Sequence, residues 1–501
     1  MPTLSPSHSD TLPAWQVCEQ ARKSRDARFD GLFFTAVPST RIYCRPVCPA
    51  PMAKTVTYYR HAAAAEAAGF RPCLRCRPEL SPDDGSWRRG DAAVARALKL
   101  IDDGALAEQP LSALAERVGL GERQLRRLFV ERVGVAPIGV HGTRRLLFAK
   151  QLLTETTLPI TEVALASGFG SLRRFNDAFR AAYRMAPRDL RKQREHVRHD
   201  NSQPLTLRLG YRPPYDFEAM LDFLRGRALP GVEVVDAHSY SRVIGPIEQA
   251  GWLRVSTWPG GEHALKLELS GPATTRLLEI VQRLRRMFDL DADPQAIAAA
   301  LSSDARLAPL LAKRPGLRLP SGWDGFEIAV RAIIGQQVSV AAARTVAARL
   351  AQRFGQPLPQ AFAPGLEHLF PTPQALADAD LGASGMTRAR AETVRTVARA
   401  LLDDRVDFRA ERTLDDFASR WVALPGIGPW TAHYIALRAL GHPDAFPAED
   451  LVLQRAVPAD GSRLTAKALT AASQAWRPWR GYAVIHLWRD TMTAPLPAKT
   501  P

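Results

Sequence analysis

Leu424-Pro425-Gly426-Ile427-Gly428-Pro429-Trp430-Thr431-Ala432, followed by Phe446-Pro447-Ala448-Glu449-Asp450-Leu451, decides how this chain is read. Residues 414–421 before it carry helical spacing. So do residues 429–440 after it, with Pro429 near the first helical position. Between the two, Pro-Gly-x-Gly predicts a tight turn, since glycines accept positive φ and let a ligand approach the backbone. The free N–H groups and the positive end of the second helix suit a phosphate oxygen, which makes Gly426 and Gly428 the expected contacts. Trp430 and Tyr434 lie four apart, on one helical face. Asp450 is the acid that follows, and it suits two places: a reaction centre, or the N-cap of a helix from Leu451.

This set resembles the helix-hairpin-helix DNA glycosylases. The resemblance to the AlkA type, the 3-methyladenine DNA glycosylases, runs from about 205 to 490. It includes Tyr211-Arg212-Pro213-Pro214-Tyr215-Asp216, Arg314-Pro315-Gly316-Leu317-Arg318-Leu319-Pro320 and the ending Trp479-Arg480-Gly481-Tyr482 through Trp488. It implies double-stranded alkylated DNA as partner and hydrolysis of an N-glycosidic bond through an oxocarbenium-like state. Asp450, buried beside the sugar, is the expected catalytic carboxylate, with Glu449 ranked second. Trp430, Tyr434 and Trp488 are the expected base pocket, where electron-rich rings favour a flat cation flipped out of the duplex; core packing is the other reading of each. Relatives that also cut the strand carry Lys where Trp430 stands, and without that amine no Schiff base forms, so a monofunctional enzyme is expected. Gln337 occupies the position that wedges into the gap left by the base, although it is polar. The carbonyls of Val422, Leu424 and Ile427 are expected to hold a monovalent cation.

Near the other end, Cys44-x-x-x-Cys48 and Cys73-x-x-Cys76 present four thiolates at a spacing that closes a tetrahedral zinc site. Cys18 stands apart, as a small buried apolar residue. Arg41-Ile42-Tyr43-Cys44-Arg45-Pro46-Val47-Cys48 and Ala68-Gly69-Phe70-Arg71-Pro72-Cys73-Leu74-Arg75-Cys76 resemble the N-terminal domain of the Ada adaptive-response proteins. The resemblance implies that Cys44 is both ligand and single-use acceptor of a methyl group from a DNA phosphotriester; a purely structural zinc is the alternative. Zn²⁺ with four thiolates carries a formal charge of about −2, and one thioether makes it about −1, which weakens repulsion from DNA. The segment after Cys48, Pro49-Ala50-Pro51-Met52-Ala53-Lys54, lacks the arginine expected there.

Between these ends, Leu111-Ser112-Ala113-Leu114-Ala115-Glu116-Arg117-Val118-Gly119-Leu120 predicts a helix ending at a glycine turn, with a basic helix after it. The pattern returns at 160–183 around Gly168, Phe169, Ser171, Phe175 and Phe179, which resembles the AraC family: two helix-turn-helix units joined by a long helix, here near 143–154. Arg123, Gln124 and Arg127 in the first recognition helix, and Leu172, Arg173 and Asn176 in the second, are the expected readers of promoter DNA. RNA polymerase is the further partner such an activator implies.

The architecture expected is multidomain α+β. It comprises a small zinc-binding α/β domain over 1–85, an all-α double helix-turn-helix domain over 90–197, an α+β domain of the AlkA N-terminal kind over 204–320, and an all-α helix-hairpin-helix glycosylase domain over 321–495. Strands are expected at 205–209, 232–240, 252–257 and 264–269, helices at 217–227 and 274–288, and a charged linker at 191–201. At 501 residues one core is too small a description. An apolar fraction of 46% excludes a disordered chain, and a net charge of +16 favours a polyanion partner. With an odd cysteine count, four in two close pairs, no apolar run long enough for a membrane and no leader pattern, a reducing, cytoplasmic setting without membrane is expected. No cysteine sits in the Pro-Cys-His-Arg setting of alkylguanine repair, so that reaction is not expected. The whole resembles an Ada–AlkA fusion: sensor, activator and base-excision enzyme. The rival reading is a methylation-switched transcription factor whose glycosylase fold only holds DNA.

Overall fold

A computed structural model describes residues 12–82, 92–102, 104–192, 204–271, 276–408, 413–457 and 462–493. Most of the 191–201 linker and the start of the helix expected over 274–288 lie outside them. The chain forms two compact units. One holds Met1–Pro213, Ser241–Arg285 and Leu290–Ala292; the other holds Pro214–Tyr240, Arg286–Asp289 and Asp293–Pro501.

In the first unit, a four-stranded sheet places Thr57–Tyr59, Phe34–Val37, Ile42–Cys44 and Arg71–Pro72 side by side, the last pair parallel. Phe34, Ala36, Tyr43, Ala65 and Phe70 form its core. Cys18 is fully buried in a second cluster with Ala21, Phe33 and Tyr58, and burial pushes its thiol up to about 11, so it is the inert residue expected. The two helix-turn-helix pairs are Leu111–Arg117 with Glu122–Arg132 and Ile160–Ala166 with Leu172–Tyr183. Both turns use a glycine at φ 78°, Gly119 and Gly168. Phe175 and Phe179 are wholly buried, and Ser171 caps its helix at Arg174 N, 3.3 Å.

The helix joining the pairs is longer than the sequence suggested: it runs Pro137–Glu155, because Pro137 is an acceptable first residue. It carries the zinc module through buried polar contacts. Thr143 and Tyr43 donate to Glu66 at 2.6 and 2.9 Å. Lys150 pairs with Glu79 and donates to the Cys73 carbonyl at 3.1 Å, and Arg77 pairs with Glu155 at 2.7 Å. The first unit also holds Leu205–Gly210, Ala264–Ser270 and Gly251–Thr257 as an antiparallel ladder. The strand expected over 232–240 is interrupted: the Asp236 carboxylate accepts from His238 N, Ser239 N and Ser239 Oγ at 2.7–2.8 Å, a local turn that outcompetes ladder pairing.

The second unit is built on Gly325–Ile334, whose residues 326–330 and 332–334 are all buried, with Arg388–Leu402, Leu414–Val422, Pro429–Ala439 and Arg480–Thr493 among its other helices. Gly325–Ile334 ends at Gly335, and the chain turns into the next helix, Val340–Phe354. A two-residue ladder, Gln356–Pro357 with His368–Leu369, interrupts the otherwise helical region. The start of the C-terminal helix is fixed by buried Asp444, which receives Arg480 and Arg477, each at 2.8 Å. Among the described residues no helix is long and apolar enough to cross a membrane.

Candidate functional site

Thr413 caps the first hairpin helix, its Oγ1 accepting Asp416 N at 3.0 Å. The helix ends at Val422, and Ile427 N closes the turn onto Leu424 O at 3.1 Å. Only one of the two hairpin glycines uses the left-handed region. Gly426 has φ 85°, and a Cβ there would lie 2.0 Å from Thr393 Oγ1. Gly428 has φ −94° as N-cap of Pro429–Ala439, and a Cβ there would meet nothing within 4 Å. Gly426 is thus required by the fold, whereas Gly428 keeps open space before a helix N-terminus. Among the described residues neither glycine N–H finds a protein acceptor, which leaves both for a ligand.

From this turn the second helix, Pro429–Ala439, carries Trp430 and Tyr434, and the C-terminal helix Arg480–Thr493 brings Trp488. Trp430 stacks on Tyr434 at 5.1 Å and 22°, and Tyr434 meets Trp488 at 6.2 Å and 44°. All three are half-buried. Asp450 joins them. Its Oδ2 accepts the indole N–H of Trp430 at 3.3 Å, and its Oδ1 that of Trp488 at 3.3 Å. Oδ1 also accepts Val452 N and Leu453 N, both at 3.0 Å, so Asp450 caps Leu451–Ala456 as well. Four donors thus hold one carboxylate, two of them the indoles of Trp430 and Trp488. The sequence reading placed this acid in a buried site; it is half-buried, because a capping residue stands at a helix end. Glu449 faces solvent.

Gln337 is exposed, with φ 56°, an uncommon conformation for a non-glycine residue that turns the chain between two helices. Its neighbour Val338 is 39% exposed, an apolar side chain at the same outward corner. Sequence reasoning missed Gln336, whose side chain donates to Gly426 O at 3.1 Å and Thr431 Oγ1 at 3.0 Å, tying the Gln337 corner to the hairpin. It also missed Arg438, whose guanidinium donates to the Tyr434 hydroxyl at 3.2 Å; its spacing, four residues after Tyr434, was the available signal.

In the first unit the four cysteines come together, with all four sulfurs within 4.8 Å of one another. Cys44 ends a strand and is 9% exposed, Cys48 is half-buried, and Cys73 and Cys76 are buried. Two backbone donors face the sulfurs: Arg45 N to Cys76 at 3.3 Å and Arg75 N to Cys73 at 3.4 Å. Hydrogen bonds among the thiols bring Cys48 down to about 7 and Cys73 lower still, while Cys44 is held up. Four sulfurs converging at one point are a donor set that suits a zinc ion.

On the recognition helices, Arg123, Gln124, Arg127, Leu172 and Arg173 are exposed and Asn176 is half-exposed. Arg127 keeps a loose pair with Glu131 at 3.7 Å.

Family models match in four places: "Metal binding domain of Ada" over 17–79, "Helix-turn-helix domain" over 114–193, "AlkA N-terminal domain" over 206–324, and "HhH-GPD superfamily base excision DNA repair protein" over 330–480. A "Probable bifunctional transcriptional activator/DNA repair enzyme AlkA" of Mycobacterium tuberculosis is 40% identical over 479 residues, covering 94% of this chain and 95% of the relative. "DNA-3-methyladenine glycosylase 2" of Escherichia coli is 37% identical over 285 residues, 56% of this chain and 95% of the relative. The "3-methyladenine dna-glycosylase from Archaeoglobus fulgidus" shares the fold, with TM-score 0.50 and 24% identity over 58% of this chain and 99% of that one.

Proposed function

The chain belongs to the family of bifunctional transcriptional activators and DNA repair enzymes of the AlkA type, and from that premise we propose that Asp450 and the Trp430–Tyr434–Trp488 wall excise alkylated bases such as 3-methyladenine from duplex DNA. The family assignment makes the chain a DNA-3-methyladenine glycosylase fused to an Ada-type zinc module and a helix-turn-helix activator region. The observation that carries the reading is the carboxylate of Asp450 held between the indole N–H groups of two pocket tryptophans.

The flipped base enters against the rings, where a fixed positive charge gains from their π faces. The C1′–N bond then breaks, its electron pair leaves with the base, and the sugar becomes oxocarbenium-like. Asp450 faces that charge as an anion already held in place, so its reorganisation cost is small. Water adds to C1′ and leaves an abasic site. No lysine stands at Trp430 to form a Schiff base, so the strand stays intact. Gly426 and Gly428 hold the phosphate, and Gln337, with Val338 beside it, fills the vacated stack. A monovalent cation on the carbonyls of Val422, Leu424 and Ile427 belongs to the same reading. The test is methylated duplex DNA: free 3-methyladenine, and abasic sites that break only under later alkali. Immediate strand cleavage would overturn the monofunctional assignment.

The zinc module is the sensor in this reading. Cys44, Cys48, Cys73 and Cys76 would hold Zn²⁺, which supplies thiolate character near neutral pH. The Cys44 sulfur attacks the methyl carbon of a phosphotriester; the C–O bond breaks, leaving a phosphodiester on DNA and a thioether on the protein. Cys48 is a more exposed residue than Cys44, so the alternative acceptor is concrete. Peptide mapping after exposure to methylphosphotriester DNA decides between them. Arg123, Gln124, Arg127, Arg173 and Asn176 read promoter DNA, and RNA polymerase is the partner this activation requires.

A further inference from the structure

Beneath the aromatic wall lies a cluster of cations that base stacking does not need. Arg438 is 3% exposed, its Nε donating to Pro320 O at 2.6 Å and its guanidinium lying over Phe223 at 4.5 Å. Arg227 lies over the same ring at 3.8 Å and donates to Phe223 O at 3.2 Å. Arg331, from the buried helix Gly325–Ile334, takes both nearby carboxylates: Glu327 at 2.7 Å and Glu233 at 3.2 Å. Three guanidiniums against two carboxylates leave one positive charge. Among the described residues no carboxylate pairs with Arg438 or Arg227.

An unbalanced buried charge is costly, and arginine does not give up its proton readily. A net positive cluster is also the wrong support for a pocket that receives cationic bases. The acid that touches this cluster is the Tyr434 phenol, bonded to Arg438 at 3.2 Å. Burial opposes ionisation of that phenol, but the charges of Arg438, Arg227 and Arg331 outweigh it and hold Tyr434 below the usual phenol range. Burial likewise brings Arg438 down to about 10. The remaining groups around Tyr434 do not reverse this. Trp430 and Trp488 are neutral, Asp450 binds their N–H groups, and Arg489 on the C-terminal helix is paired with Asp222 at 2.7 Å.

We propose that Arg227, Arg331 and Arg438 hold Tyr434 as a phenolate, and that this negative wall selects positively charged bases over neutral ones. The proposal rests on the pocket reading above. Arg438 acts through Tyr434 and is a positioning residue. The phenolate makes the ring more electron-rich and neutralises the cluster beneath it. A 3-methyladenine nucleotide keeps its charge across the working pH range, so the pH response belongs to the protein. Lowering the pH through the Tyr434 transition puts the proton back, and excision of cationic bases falls; excision of a neutral lesion such as ethenoadenine does not follow it.

The experiment has two arms on the full-length, zinc-loaded chain. The first titrates the near-ultraviolet tyrosinate band of wild type, Tyr434→Phe, Arg438→Gln and Arg438→Lys. Wild type is expected to show one low-pH tyrosinate that Tyr434→Phe lacks, that Arg438→Gln moves upward and that Arg438→Lys retains. The second measures kcat/KM against pH for charged and neutral lesions. Tyr434→Phe keeps the ring face but removes the phenolate charge, so it should lose about tenfold more on the charged base than on the neutral one. Identical titrations for wild type and Tyr434→Phe below the ordinary phenol range would overturn the proposal. So would equal losses on both bases. If wild type releases no base at all, the glycosylase reading fails, while the absorbance arm still reports whether Tyr434 ionises; should Arg438→Gln not fold, the Tyr434→Phe difference alone carries the test.

Discussion

Replacing Lys150 by Met removes one charge from a contact that is sealed from water. The side chains of Lys150 and Glu79 are each 1% exposed, and Lys150 also holds the carbonyl of the zinc-site residue Cys73 at 3.1 Å. Methionine keeps most of the volume, so the loss is electrostatic. Breaking a buried pair from one side costs about 3–5 kcal/mol, because the partner stays behind uncompensated. Here Glu79 retains Arg77 at 3.2 Å, which places the expected cost near the lower end, about 3 kcal/mol. At about 2–4 °C per kcal/mol for a unit of this size, the first unit should melt about 6–12 °C earlier. Glu79 also sets the pH response. Burial opposes its charge, but Lys150 and Arg77 outweigh that and hold its carboxyl below the usual range. Its contribution is therefore present above the unfolded value of about 4.3 and lost as pH falls through the lower folded value. The assay is thermal unfolding of the zinc-loaded chain for Lys150→Met, Glu79→Gln and the double variant. The double should recover much of the loss, since no lone charge remains. A Lys150→Met shift below about 1 °C, or strictly additive losses, would refute the view that this pair fastens the zinc module to the helix Pro137–Glu155.

The hairpin glycines should separate fold from contact. Gly426→Ala, with φ 85° and Thr393 in the way, should cost about 1–3 kcal/mol of stability as well as DNA affinity, whereas Gly428→Ala should melt like wild type and lose affinity alone. Calorimetry and fluorescence-anisotropy titrations with duplex DNA check both. His486 sits in the C-terminal helix and is pushed down to about 4 by burial. The unfolded chain binds that proton near pH 6.5, so stability is full above about 6.5 and falls toward 4. Denaturant unfolding across that window should show the slope, and His486→Gln should flatten it.

The features legible in the sequence were those written in short spacings. The hairpin, the four cysteines and the phenylalanines at 169, 175 and 179 each lie within one local segment, and local rules of period and turn chemistry reach them. Tertiary juxtapositions were not legible. Arg227, Arg331 and Arg438 come from three distant segments, and nothing local marks them as one cluster. The break at Asp236 was missed because its side chain, not its apolar neighbours, sets the backbone there. The outward corner at Gln337 was hidden for a different reason: Gln336 ties it to Gly426 across a long stretch of chain. Asp450 was legible as acid and as cap, yet its two indole donors appear only when the C-terminal helix packs beside the hairpin.

The most direct measurement is release of bases from methylated duplex DNA by wild type and Asp450→Asn. Asparagine caps a helix as well as aspartate, so the fold should survive. One charge opposite an oxocarbenium about 4 Å away contributes about 4 kcal/mol at an effective dielectric constant near 20, equivalent to roughly 10³-fold in rate. The account predicts 3-methyladenine from wild type and about a thousandfold less from Asp450→Asn. Equal release by both would contradict the assignment of the carboxylate, and no release by either, with both folded, would make the chain a regulator that only holds DNA.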